Sequence, residues 1–306
     1  MTRYARFAVL GLLFAVQALA APTNPNIPLS NNYKDVKAFM QKLAADHPKT
    51  VQLFTLGIAD NGEPIVGAMI GDGNPNNVRH LLVATHHGNE YGSTEVAKAF
   101  AASVADQPIH GQTIFVIPVL NTNGFDRRDR YEINAQGIHV DPNRDYPGPC
   151  GTEGPWKLRS TAALAQFINQ QGIIGSATLH TYYPAVVYPW GISSHDLSTA
   201  YDGIFQNLVK AATQESHYQT GRNTEVIYPA DGAYEDYAYW QHGIWSILFE
   251  LGQSHNPSDS EVRRMQAVNV PGMRRMFEQT PTQRAANHAF TGRCDTSLRA
   301  YDRHSE

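Results

Sequence analysis

Apolar residues recur at Tyr33, Val36, Phe39, Met40 and Leu43, the three- and four-residue spacing of a helix with one buried face. The pattern predicts a helix from 33 to about 47, with Asn31 or Asn32 as its N-cap. Beyond it the period shortens. Runs rich in β-branched and aliphatic residues at 51–56, 65–70, 81–85 and 113–120 predict strands, and Asn61-Gly62 between the first two predicts a hairpin. A helix over 94–104 separates the third and fourth runs. Further helical patterns lie near 162–169, 201–212 and 260–276, with short strand-like runs at 175–179, 185–188, 225–228 and 245–249.

Strands alternating with helices predict an α/β fold: a single domain with a central mixed, largely parallel twisted sheet flanked by helices. No repeat or linker divides the chain, so one catalytic domain is expected over residues 21–306, with 21–32 as an extended lead-in. His87 and Glu90 follow one strand, Asn121 to Gly124 another, and His180 and Glu250 end two more. Ligands of open α/β sheets bind beyond the carboxyl ends of the strands, so parallel strands would bring these groups to one edge.

The first twenty residues have a different character. Arg3 and Arg6 precede the apolar run Phe7 to Val16, and Ala18-Leu19-Ala20 follows. A basic start, a short apolar stretch and an A-x-A ending read as a secretory signal over 1–20. The run is shorter than the roughly 20 apolar residues that span a bilayer, so no membrane association is expected after cleavage. Export, to the periplasm or outside the cell, is the implied location. Loss of two arginines takes the formal charge from −4 to about −6, and a mildly acidic chain lacks the basic face that a nucleic-acid partner needs. A monomer is expected. The two cysteines, Cys150 and Cys294, could be paired or free.

Among 13 histidines there is one H-x-x-E, His87-Gly88-Asn89-Glu90; with 12 glutamates present, chance alone supplies about half such a match. The chemistry carries more weight. Two imidazoles and one carboxylate suit zinc and leave a fourth position for water, and a three-residue step lets His87 and Glu90 converge. His180, in Leu179-His180-Thr181, is the candidate third ligand, although a lone strand histidine is more often a satisfied structural residue. His86 does not make the H-x-x-E step and is read as a neighbour. Glu250 ends the apolar run Ile247-Leu248-Phe249, where an unpaired carboxylate is costly; it is either a capped or ion-paired residue or a general base.

In order and spacing, these segments resemble the zinc carboxypeptidase family of pancreatic carboxypeptidases A and B. The likeness runs from Leu56-Gly57-Ile58-Ala59-Asp60 through His87-Gly88-Asn89-Glu90, Asn121-Thr122-Asn123-Gly124, Val140-Asp141-Pro142-Asn143-Arg144 and Leu179-His180-Thr181-Tyr182 to Phe249-Glu250-Leu251. The resemblance implies one zinc ion on His87, Glu90 and His180, with Asp141 orienting the first histidine. It implies Glu250 as general base, Asn143 and Arg144 as the grip on a terminal carboxylate, and Tyr228 as a tyrosine closing over substrate. An arginine between the Asn121 and Asp141 segments would face the oxyanion: Arg130, with Arg127 next and Arg128 also present. Glu235, fifteen residues before Glu250, falls near the position that sets side-chain preference, and an acid there hints at a basic terminal residue. Thr122-Asn123 departs from the family's common Pro-Asp.

The expected activity is hydrolysis of the C-terminal peptide bond of peptides, with a peptide or small amide bearing a free carboxylate as partner. The alternatives are a murein-peptide amidase or an N-acyl amino acid deacylase on the same fold, or a non-catalytic zinc-binding protein. The chain carries no H-E-x-x-H and no G-x-S-x-G, which disfavours zincin and serine-hydrolase chemistry.

Overall fold

The computed structural model describes residues 27–151 and 155–295. The signal expected over 1–20 lies outside them. Helix α1 (Tyr33–Asp46) is capped by Asn32, whose side chain accepts from Asp35 N, and it buries Tyr33, Val36, Met40 and Leu43. Strands β1 (Val51–Ile58) and β2 (Pro64–Ile70) pair antiparallel across a turn where Gly62 has φ +82°, a conformation glycine adopts without steric cost. Strand β3 (Val78–Ala84) leads into α2 (Tyr91–Asp106), then β4 (Gln112–Ile117) and the short α3 (Thr122–Arg127). A two-stranded ribbon of β5 (Glu132–Ile133) and β6 (His139–Val140) follows, and α4 (Arg159–Gln170) precedes β7 (Gly175–His180) and β8 (Ala185–Tyr188). The remainder is α5 (Asp202–Ala212), β9 (Gln219–Arg222), α6 (Asn223–Val226), α7 (Tyr234–His242), β10 (Trp245–Glu250) and α8 (Asp259–Gln279).

The main sheet has eight strands in the order β1-β2-β4-β3-β7-β10-β8-β9. Its four central strands β4, β3, β7 and β10 are parallel, while the β1–β2 and β2–β4 pairs and the β8–β10 pair are antiparallel. The expected mixed, largely parallel sheet is therefore present. Helices cover both faces, which is why the central strands are buried along nearly their whole length. Along β3, Leu82 and Ala84 join the core shared with α1, α2, α5 and α8, whereas Leu81 and Val83 join the core under α4 and α7. The period of two thus splits one strand between two cores.

Some elements depart from the sequence pattern. The run 225–228 is no strand: α6 ends at Val226, and Val226 and Ile227 pack on Ala185, Val187 and Leu248. The strand here is the polar edge segment β9, whose register against β8 needs no apolar alternation. Helix α7 buries every residue from Tyr234 to Tyr239 and so shows no one-sided stripe. Cys150 and Cys294 form a disulfide with Cα atoms 5.4 Å apart, tying the chain's C-terminal segment to the loop before α4.

The lead-in is held by a buried charge pair. On α2, Lys98 Nζ donates to Glu95 Oε2 (2.9 Å), Ser30 Oγ (2.7 Å) and Pro28 O (2.7 Å), while Ser30 N donates to Glu95 Oε1 (2.9 Å). Glu95 is 0% exposed and Lys98 1%. Removing one member of such a pair strands the other charge in a site without water. Lys98→Met is expected to lower unfolding free energy by about 3–5 kcal/mol in urea titrations, and a loss under about 1 kcal/mol would contradict the pairing.

Candidate metal centre and substrate cleft

Because β3, β7 and β10 are parallel, their carboxyl ends meet at one edge. Glu250 pairs in register with His180 across β10 and β7. His87 lies in the turn after β3, and Glu90 is the N-cap of α2, where the helix dipole favours a carboxylate. The turn begins at Thr85, a β-branched residue with φ +60°. That conformation costs about 1–3 kcal/mol. It is offset by Thr85 Oγ1, which meets Ser93 Oγ (3.0 Å), Thr94 Oγ1 (2.6 Å) and Pro118 O (3.2 Å). Gly88 lets the turn lie against α3; a Cβ there would come within 2.0 Å of Gly124 C.

The three candidate ligands His87, Glu90 and His180 offer donor atoms all within 4.8 Å of one another. His87 Nδ1 lies 2.8 Å from Glu90 Oε1, His180 Nδ1 lies 3.0 Å from Glu90 Oε2, and the two Nδ1 atoms are 3.3 Å apart. Arg130 Nη1 donates to His87 Nδ1 at 3.2 Å, so that nitrogen carries a lone pair, and Nε2–H donates to Asp141 Oδ1 at 3.0 Å. A bare imidazole nitrogen facing a carboxylate oxygen is unfavourable unless a cation sits between them. With zinc–nitrogen bonds of about 2.0–2.1 Å, tetrahedral donors stand about 3.3 Å apart, so the residues present fit zinc.

Around the cluster, burial and neighbouring charge act in opposite directions. Burial would raise the Glu90 carboxyl, but His87 and His180 outweigh it and hold it below the usual range. For Asp141 burial again acts upward, and His87, then Arg144 and Arg130, keep it well below the usual carboxylate range. Glu250 behaves in the opposite way. Burial first, and the charge of Glu90 second, push it well above the usual range, and its buried Oε2 has no hydrogen-bond partner.

The three arginines of the 127–130 segment separate cleanly. Arg127 pairs with Asp129 and Asn123, and Arg128 lies 4.8 Å over the rings of Tyr91 and Phe125. Only Arg130 among them reaches the cluster, with Nε and Nη2 donating to Asp141 Oδ2 at 3.0 and 2.7 Å.

Asn143 and Arg144 occupy a 3-10 turn after Asp141, whose Oδ1 also accepts from Asn143 N at 2.9 Å. His87, His180, Glu250, Asn143, Arg144 and Tyr228 line one cleft, with Asn223, Ile227, Ala230, Ala233 and Leu248 as its remaining wall. Tyr228 is 53% exposed, and the Arg144 guanidinium lies 6.0 Å from its ring centroid. Glu235 does not line this cleft. It is buried on α7, accepts from Thr178 Oγ1, and leaves Oε2 without a partner. The apolar wall formed by Ile227, Ala230, Ala233 and Leu248 left no mark in the sequence pattern, since it joins the single connection between α6 and α7 to a residue of β10.

The sequence matches the zinc carboxypeptidase family over residues 36–271. It is 27% identical to carboxypeptidase B of Rattus norvegicus over 262 residues, covering 72% of this chain and 63% of that protein. It is 24% identical to carboxypeptidase A1 of Sus scrofa, covering 78% and 66%. The chain thus spans less than two thirds of the rat relative's length. In fold it is similar to bovine thrombin-activatable fibrinolysis inhibitor, with TM-score 0.72, 18% identity and coverage of 81% and 96%. The murein-tripeptide amidase of Escherichia coli O157 shares the fold with TM-score 0.53, 16% identity and coverage of 73% and 91%. With the family match extending over most of the chain and a donor set suited to zinc at its sheet edge, the chain belongs to the zinc carboxypeptidase family.

Proposed function

We propose that this chain is an exported zinc metallocarboxypeptidase that hydrolyses the C-terminal peptide bond of peptides. One observation carries the reading: Asn143 and Arg144 share a cleft with His87, His180 and Glu250, and Tyr228 lines it too. A guanidinium placed across a cleft from a hydrolytic centre suits a substrate whose free carboxylate lies next to the bond cut.

Bound to His87, Glu90 and His180, zinc would supply Lewis acidity and a water of lowered pKa. Glu250 takes a proton from the attacking water as its oxygen joins the carbonyl carbon. It then delivers that proton to the amide nitrogen as the C–N bond breaks, giving a shortened peptide and a free amino acid. Arg130 meets the negative charge developing on the carbonyl oxygen, and Asp141 holds both Arg130 and His87. Arg144 and Asn143 fix the terminal carboxylate, and Tyr228 closes the open side.

Glu235 is the proposed basis of a preference for basic terminal residues, because its buried Oε2 is an acceptor without a donor. The same chemistry suits the second amine of a diamino acid, so a murein-peptide amidase is the second reading; a solved amidase shares the fold. Export is supported by the basic and apolar start of the chain and by the disulfide, which belongs to oxidising compartments. Residues 21–306 are taken as the mature catalytic unit, acting as a monomer.

Four outcomes test the assignment. His180→Ala should drop bound zinc well below one per chain by atomic absorption; unchanged stoichiometry removes it from the ligand set. Glu250→Gln should lower kcat roughly 10²–10⁴-fold with zinc retained. In the unaltered enzyme only the ionised base is active, so kcat/KM should fall as pH drops through a midpoint above the 4.5 of an ordinary glutamate. A midpoint at or below that value would contradict the assigned base. Finally, amidating the substrate's terminal carboxylate should cost roughly tenfold to a hundredfold in kcat/KM. Arg144→Ala should cost a similar factor with the free acid and add little with the amide; additive losses would refute the grip.

A further inference from the structure

We infer that His86 and Tyr146 form a positioning bridge that holds the metal cradle and the Asn143–Arg144 grip at a fixed separation. The inference rests on the carboxypeptidase reading of the site. Neither residue lines the cleft, and both are 0% exposed.

His86 precedes His87, and the left-handed turn at Thr85 separates it from β3. The His86 ring stacks on that of His180, with centroids 5.6 Å apart and planes 21° from parallel. One face of a candidate ligand therefore rests on His86, while the edge of the His87 ring approaches at 4.9 Å. From the other end, His86 Nε2 meets Tyr146 OH at 3.0 Å. Tyr146 lies two residues beyond Arg144 and is fixed by its own N–H to Gly232 O (3.2 Å) and by ring contacts with Tyr234 and Tyr237, both at 5.5 Å. Tyr234 closes the circuit, since its N–H donates to Asn143 Oδ1 at 2.9 Å.

A purely space-filling role does not account for an imidazole here. His86 Nδ1 is buried without a partner, a cost that a phenylalanine of similar shape would avoid. What the imidazole adds over a phenyl ring is the bond from Nε2 to the tyrosine hydroxyl. That bond joins the strand-end turn carrying His87 to the turn carrying Asn143 and Arg144, which otherwise share Asp141. Peptide cleavage needs the terminal carboxylate and the scissile carbonyl engaged together, and misplacement by about 1 Å is enough to slow a reaction strongly.

The test uses His86→Phe, Tyr146→Phe and their double variant in the zinc-loaded protein. Each single change should raise KM for a peptide with a free terminal carboxylate roughly fivefold to tenfold, with a smaller change in kcat. The double variant should be no worse than the worse single one, because both remove the same bond. Unchanged KM in the singles, or multiplying effects in the double, would overturn the bridge. A second readout needs no turnover: zinc affinity by chelator competition should be unchanged in His86→Phe, where the ring still supports His180. It should weaken roughly tenfold in His86→Ala, and wild-type affinity there would overturn the support of the ligand. A wild-type protein that binds zinc but cleaves no such peptide would refute the reaction, while the zinc measurements would still decide the part assigned to His86.

Discussion

One carboxylate joins the parts of this site. Asp141 Oδ1 accepts from His87 Nε2 and from Asn143 N, and Oδ2 accepts from two nitrogens of Arg130. A single side chain thereby sets the tautomer of a candidate zinc ligand, the reach of an arginine and the start of the turn that carries Arg144. Four N–H donors from three residues compensate the cost of burying its charge, and the cationic groups around it hold it ionised. Glu90 adds a second carboxylate to the cluster, and its donor set with His87 and His180 suits a divalent cation.

The sheet makes that convergence available. Parallel β4, β3, β7 and β10 deliver their ends to one edge, and helices on both faces leave that edge as the open surface for chemistry. The turn after β3 is where the fold accepts local strain. Thr85 takes a left-handed conformation, its hydroxyl is bonded on three sides, and the result sends His86 beneath the cluster and His87 into it. Glu250 illustrates the opposite device: partial enclosure beside Glu90 makes a carboxylate a stronger base than it is in water.

Much of this was legible in the sequence wherever burial imposes a period. The apolar runs within β3, β4 and β10, the stripe of α1 and the Asn-Gly hairpin follow from local rules, and so does the strand-end position of Glu250. What escaped was set by tertiary context. Strand β9 is polar because it lies at an edge, and α7 carries no stripe because both of its sides are covered. The cleft wall draws Asn223, Ile227, Ala230 and Leu248 from places that no periodicity connects. Glu235 shows the limit of reading by spacing. Its spacing from Glu250 pointed to the specificity position but carried no sign of its burial, with Thr178 Oγ1 donating to one oxygen and Oε2 left without a partner. The choice among Arg127, Arg128 and Arg130 needed coordinates, because neighbouring residues turned two of the three guanidinium groups elsewhere.

The central claim is a zinc ion on two imidazoles and one carboxylate, and X-ray absorption at the zinc edge tests it most directly. The account predicts one tightly bound zinc per chain with nitrogen and oxygen ligands at about 2.0–2.2 Å, two of them imidazoles. Failure to bind zinc stoichiometrically, a sulfur ligand, or a spectrum with one or three imidazoles would contradict it.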